Sequence, residues 1–193
     1  MVRRSVIKQY LAKGLQRFPP LRWILRLAVK LLAPRNLVGV VGVVFDQGGR
    51  VLLAEHVFRT DFAWGLQGGW LERGEDPTQA IQREIEEELN IKVQVKKLLL
   101  CELQGGPGFL DPPLSLGLAF YCRLLDSSLP QPMQTHNDYE ILAVEWADPY
   151  SIRWQLPLFQ QKAIFLGRQA FELDFSQTSE VSEKNSEVSP AGS

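Results

Sequence analysis

Residues 83–89 read REIEEEL, so four glutamates fall within five consecutive positions of a stretch with helical periodicity. Both ends of that helix are specified. Asp76 suits the N-cap, Pro77 the first helical position, and Gln79 completes a capping-box-like arrangement. Asn90 is suited to the left-handed conformation that ends helices. At about 100° per residue, Glu84, Glu87 and Glu88 project from one face within about one turn, Glu86 points away, and Arg83 lies on another flank. As a solvated face, such a set costs only tenths of a kcal/mol per like-charge pair. As a ligand set, it offers three hard oxygen donors to a divalent cation. The helix alone leaves both readings open.

The segment before the helix, GLQGGWLERGED (65–76), favours the second. Gly65, Gly68, Gly69 and Gly74 are read as breaking an aromatic strand into a tight loop where the backbone can approach a bulky ligand. A glycine loop facing three carboxylates fits a diphosphate held by divalent cations, which commonly bridge protein carboxylates to phosphate. Arg59 and Arg73 flank the loop and are either phosphate donors or solvated charges. Phe62, Trp64, Trp70, Phe109 and Tyr139 are either stacking surfaces for a base or core. His56 and His136 are isolated and read as ordinary surface or strand residues.

Around this segment the period is mostly that of strands. LVGVVGVVFD (37–46) and VLLAEHV (51–57), joined by QGGR, predict a hairpin. AWGLQGGW (63–70) predicts a short strand running into a glycine turn, and IKVQVKKLLLCEL (91–103), SLGLAFYCRLL (115–125) and YEILAVEWAD (139–148) predict further strands. Residues 151–167 read as mostly helical, with Pro157 kinking or breaking them. Helices before, within and after a run of strands give an α/β (α+β) sandwich with a mixed sheet. The last twenty residues are rich in Ser and Glu and are expected to be disordered. Domain bounds are therefore a helical extension over 1–35, a catalytic-type domain over 36–172 and a polar tail over 173–193.

Charge is unevenly distributed. Residues 1–35 hold nine Lys or Arg and no acid, leaving 12 basic and 22 acidic residues in the remainder, a net of −10. The overall net charge of −1 argues against a nucleic-acid partner. The two basic amphipathic helices expected in 1–35, separated by Pro19 and Pro20, admit three roles. They pack on the acidic remainder or on a second subunit as a homodimer, lie peripherally on a membrane surface, or form a cleaved presequence, which the scarcity of serine disfavours. No apolar run reaches the ~18–20 residues of a membrane span. Cys101 and Cys122 are read as buried free thiols of a reducing, cytoplasmic compartment.

GWLERGEDPTQAIQREIEEELNI (69–91) resembles the Nudix box. Gly69, Glu75, Arg83, Glu84, Ile85, Glu87, Glu88 and Ile91 match it in order and spacing, and Asn90 stands where the family has glycine. The preceding WGLQGG also resembles the family, with Gln67 where proline is common. The resemblance implies an α/β/α sandwich over about 36–170. It implies an Mg²⁺- or Mn²⁺-dependent hydrolase that cleaves the pyrophosphate bond of a nucleoside diphosphate linked to another group. By the same resemblance Glu84, Glu87 and Glu88, with the Gly69 carbonyl, are metal ligands, and Glu84 is also a candidate base. Glu75 and Arg83 would form an ion pair pinning loop to helix. A further catalytic carboxylate is assigned to Glu140, with Glu145, Glu102, Asp138 and Glu55 as rivals. Arg59, Trp64, Gly68, Gly69 and Arg73 make up the expected substrate-binding set. In the family a proline about sixteen positions past the box is associated with ADP-ribose hydrolases; Pro107, sixteen past Ile91, fits that or is explained by turn chemistry in GGPG, and the resemblance mildly favours ADP-ribose or a nucleoside-diphosphate sugar. The alternatives are a nucleoside triphosphate or dinucleoside polyphosphate, or a non-catalytic nucleotide-sensing or membrane-docking module.

Overall fold

The computed structural model describes residues 37–57, 59, 61–106, 114–125 and 141–187, with side chains to 176. The expected helices of 1–35, and Glu140, Pro107, Phe109, Tyr139, His136 and Asp138, lie outside the described residues.

The chain runs β1 (Leu37–Phe45), β2 (Val51–His56), β3 (Trp64–Gly65), β4 (Gln67–Trp70), α1 (Pro77–Leu89), β5 (Val93–Gln104), β6 (Ser115–Leu124), β7 (Ile141–Ala147) and α2 (Leu158–Glu187). The strands form one mixed sheet in the order β3-β2-β1-β6-β5, with β4 also pairing β1 and β7 pairing β2. β1 is parallel to β6 from Leu37↔Ser115 to Phe45↔Arg123, and its other partners are antiparallel.

Alternation along β1 and β2 builds the two layers. Val40, Val44, Leu52 and Ala54 pack with Ile81, Ile85 and Leu89 of α1. Val43, Phe45, Val51 and Leu53 pack with Phe159, Ala163 and Ile164 of α2. Successive strand side chains point to opposite faces, so each helix meets alternate residues and the sandwich is α/β/α. Ile81, Ile85 and Leu89 are fully buried at i, i+4 spacing, each contributing about 1.5–3 kcal/mol. Gly42 lets α1 approach the sheet, because a Cβ there would sit 2.6 Å from the Ile85 Cδ1.

Four local expectations need correction. Gly68 and Gly69 are not a loop: they lie in β4, paired with Val41 and Val40 of β1. Their glycines removed the side-chain signal of a strand, while β1 supplied the backbone partners. Residues 151–157 are not helical, because α2 begins at Leu158, immediately after Pro157, where proline stops interfering with the helical ladder. α2 then continues past 172 to Glu187. Asp174, placed in the expected tail, accepts a hydrogen bond from the Tyr121 hydroxyl at 3.1 Å and lies near Lys96 and Arg123, so the polar stretch is docked where it begins. Cys122 is buried, and burial pushes its thiol up to about 12, but Cys101 is exposed on β5. Among the described residues no helix is long and apolar enough to cross a membrane.

Candidate active site

α1 carries the carboxylates, and Asp76, Pro77 and Asn90 take the end positions that the sequence predicts. Asp76 caps it by accepting from the Thr78 amide at 2.8 Å and from the Thr78 hydroxyl. At the other end Asn90 adopts φ 53°, ψ 36°, and its N–H donates to the Glu86 carbonyl. Asparagine therefore provides the backbone that the family's glycine would, and the one departure from the motif is absorbed locally.

β4 lies against the start of the acidic face. A Cβ on Gly69 would overlap the Glu84 carboxylate, so the missing side chain makes the seat that Glu84 occupies. Gly68 has φ +146°, and its N–H donates to Glu88 Oε2 at 3.2 Å. A side chain at Gly68 would also collide with the Val40 carbonyl of β1. Glu84 and Glu88, one turn apart, are thus held against two consecutive glycines of a strand.

Arg83 is the local counter-charge. Its Nε and Nη2 donate to the two oxygens of Glu75 at 2.9 and 3.1 Å, a bidentate pairing, while Nη1 donates to Glu84 Oε1 and Glu87 Oε2, each at 3.0 Å. Nη2 also reaches the Trp70 carbonyl at 3.4 Å. Loop 71–76, β4 and α1 are tied by one guanidinium. Its hydrogen bonds to Glu75 first, then the charge of Glu84, hold Arg83 well above its ordinary range, and Arg83 in turn holds Glu75 below the usual carboxylate range. Arg83 forms the expected ion pair with Glu75, and from its own flank of the helix its long side chain also reaches Glu84 and Glu87. Glu86, as expected, points elsewhere, 3.8 Å from Lys92. Each glutamate of the cluster therefore has a partner within the protein.

Among the described residues no three His, Cys, Asp or Glu side chains converge into a metal-holding group. Glu84 and Glu88 nevertheless fit a divalent ion in two respects: both are hard oxygen donors, and both are held on β4, Glu84 in the space a Gly69 Cβ would fill and Glu88 by the Gly68 N–H. Glu87 is more open, with a side-chain exposure of 58% against 16% for Glu84.

The remaining candidates are dispersed. Arg73 is exposed in the turn before α1. One face of the Trp64 indole is covered by Trp154, with ring centroids 3.9 Å apart. Arg59 is partly buried, its Nη2 directed to the Leu66 carbonyl at 3.4 Å, and Glu88 bears on its charge. Two rival carboxylates are engaged elsewhere: Glu145 pairs with Arg153 at 2.6 Å, and Glu102 pairs with Lys162 of α2 at 2.9 Å. A cleft of about 530 Å³ among Tyr150, Trp154, Phe165 and Arg168 contains none of the sequence-predicted site residues.

Sequence reasoning passed over His56. It lies on β2 just after a register shift at Glu55/His56, and it is buried with an exposure of 8%. Burial first, then the charge of Arg59, pushes its imidazole down to about 3. A lone histidine at a strand end carried no spacing signal, and its burial is decided by the elements that pack over it.

The model of the NUDIX domain matches residues 35–167. A MutT-like protein of Streptomyces ambofaciens is 38% identical over 116 residues, covering 60% of this chain and 66% of that protein. Nucleoside diphosphate-linked moiety X motif 6 of Xenopus laevis is 33% identical over 116 residues, covering 58% of this chain and 49% of that protein. The matched segments thus span less than two thirds of these relatives' own length. In fold, the chain is similar to a crystal structure of UDP-X diphosphatase (TM-score 0.57, 22% identity, 88% of this chain and 81% of that one). It is also similar to a MutT NUDIX hydrolase from Burkholderia pseudomallei (TM-score 0.55, 22% identity, 69% and 98%). The matched stretch contains the glycine strand, the Arg83 bridge and the carboxylate helix, and on that match this chain belongs to the NUDIX domain family.

Proposed function

We propose that the chain is a divalent-metal-dependent pyrophosphohydrolase acting on a nucleoside diphosphate linked to a second group. The observation that carries this is the seating of Glu84 and Glu88 against Gly69 and Gly68, with Glu87 beside them. Hydrolysis of a diphosphate needs its negative charge offset, the anhydride positioned and a water activated. A bound divalent ion supplies Lewis acidity toward phosphoryl oxygen and lowers the pKa of water.

The chain's own residues supply the rest. Glu84 and Glu88, with Glu87 and the Gly69 carbonyl, would hold the metal, and family dependence on a divalent metal fits that donor set. Arg83 and Glu75 keep α1 and β4 in register, a positioning role. Glu84, packed against Gly69, is the candidate proton acceptor. Arg59, whose charge Glu88 bears on, and Arg73 and Trp64 are the candidates for contact with the substrate.

For substrate, we favour ADP-ribose or a nucleoside-diphosphate sugar over a triphosphate. The fold neighbours include a UDP-X diphosphatase and an ADP-ribose pyrophosphatase from Streptococcus suis (TM-score 0.52, 19% identity), which is support at the level of fold. The test is product release from ADP-ribose, UDP-sugars, dinucleoside polyphosphates and nucleoside triphosphates, with Mg²⁺, with Mn²⁺ and with chelator. Metal-dependent turnover of a diphosphate-linked substrate is expected. No turnover of any substrate with either metal would overturn the hydrolase and leave a nucleotide-binding module.

A further inference from the structure

The cleft of about 530 Å³ beside α2 stands apart from the carboxylates. α2 packs on the face of the sheet that carries Val43 and Leu53, whereas α1, with Glu84 and Glu88, packs on the other. The cleft is lined by the segment 149–156 and by α2 between Gln161 and Glu172. Its volume falls within the roughly 300–1,000 Å³ of small-ligand sites.

The lining is held in place by the protein itself. Asp148 turns the segment, accepting from the Tyr150 N–H at 2.9 Å and from the Ser151 hydroxyl at 3.0 Å. Trp154 stacks on Trp64 with ring centroids 3.9 Å apart, and the Arg153 guanidinium lies 4.3 Å from the Trp154 ring. On α2, Arg168 donates to the Gly49 carbonyl and to Glu172, each at 2.8 Å. A site fixed in this way loses little freedom when a ligand enters. Two aromatic side chains of the lining nonetheless stay open, Tyr150 with an exposure of 77% and Phe165 with 64%. Scattered singly, exposed apolar side chains need no explanation; gathered in one concave site, they suit a ligand.

The lining also selects the chemistry of that ligand. Tyr150, Trp154 and Phe165 offer aromatic surface to a planar group. Gln155, Gln161 and Gln169 add neutral amides, which both donate and accept. Among the described residues, the charged members of the lining are Arg168 and Glu172, and these pair with each other. Arg153, next to Trp154, is paired with Glu145. The cleft therefore has no surplus cation for a phosphate, and an aliphatic chain would leave its amides unmatched.

We propose that this cleft is a second ligand site, which takes an uncharged nucleobase or nucleoside by stacking on Tyr150 and Phe165. The site does not depend on the hydrolase reading. Equilibrium dialysis of radiolabelled adenosine and uridine against the full chain, with chelator present and with AMP and UMP as charged counterparts, tests it. Saturable binding of a nucleoside is expected, no tighter for its monophosphate. Tyr150→Ala and Phe165→Ala should each weaken it about tenfold, the loss of one stacking contact, while Tyr150→Phe, which keeps the ring, should retain it. Both side chains are exposed, so the unfolding curves of these variants should match that of the wild type. Glu84→Gln should bind the nucleoside as the wild type does, whether or not the chain hydrolyses a diphosphate. No saturation by either nucleoside, or binding that both alanine variants keep, would overturn the site. So would loss of binding in Glu84→Gln, or a monophosphate bound tenfold more tightly than its nucleoside.

Discussion

Two sets of polar side chains, one on α1 and one on β2 and β4, present opposite problems. On α1, four adjacent glutamates that look mutually repulsive each have a partner: Arg83 for Glu84 and Glu87, Lys92 for Glu86, and the Gly68 amide for Glu88. On β2 and β4, His56 and Gln67 carry no such crowding, yet among the described residues they bury polar atoms with no hydrogen-bond partner. Crowded charge at a surface is cheap when a guanidinium can reach it, whereas a neutral dipole in the interior is costly until something meets it. The first set is partnered within the protein; among the described residues the second keeps buried atoms that are not.

The comparison breaks most visibly through Glu84. Glu84→Gln keeps the shape and removes the charge, and should reduce kcat by more than about a hundredfold while the thermal unfolding curve hardly moves, since even residues supporting a metal site cost 10–100-fold. A variant with near wild-type turnover would remove Glu84 from the reaction. Arg83→Met releases Glu75, Glu84 and Glu87 together and should lower activity by about 10–100-fold, read from steady-state kinetics. Gly69→Ala drives a methyl group into the Glu84 carboxylate and should cost about 1–3 kcal/mol in urea unfolding, the range for overpacking. Gly74→Ala, where nothing lies within 4 Å but φ is +85°, should cost only about 1 kcal/mol.

The second set makes a pH prediction. The His56 folded-state value lies far below its ordinary 6.5, so between these values the unfolded chain binds a proton that the folded protein does not. Stability should therefore fall as the pH drops below about 6.5, by about 2 kcal/mol by pH 5. His56→Leu should flatten that slope in denaturant titrations. Glu75 and Asp76 are held below their ordinary values by Arg83 and by Thr78, so their contributions are lost only at more acidic pH.

What was legible in the sequence was local. The caps of α1, the shared face of Glu84 and Glu88, and the β1–β2 hairpin all follow from dihedral preferences and periodicity within a few residues. β4 was hidden because glycine carries no strand pattern, and its pairing with β1 joins residues far apart in the chain. The pairing of Arg83 with Glu75 followed from the motif, but its contacts with Glu84 and Glu87 were missed because helical angles locate Cβ atoms rather than the end of a long side chain. α2 extends past 172 because Asp174 docks near Tyr121, Lys96 and Arg123, a contact that composition cannot express. His56 and Gln67 gave no signal because burial of an isolated polar residue is decided by the chain that folds over it.

The central claim is that Glu84 and Glu88, seated on the two glycines of β4, receive a divalent ion. Titration of Mn²⁺ into the full chain by electron paramagnetic resonance, with a non-hydrolysable dinucleotide present, tests it most directly. The account predicts saturable uptake by the wild-type protein and loss of it in both Glu84→Gln and Glu88→Gln. Equal uptake by wild type and both variants, or none by the wild type, would contradict it.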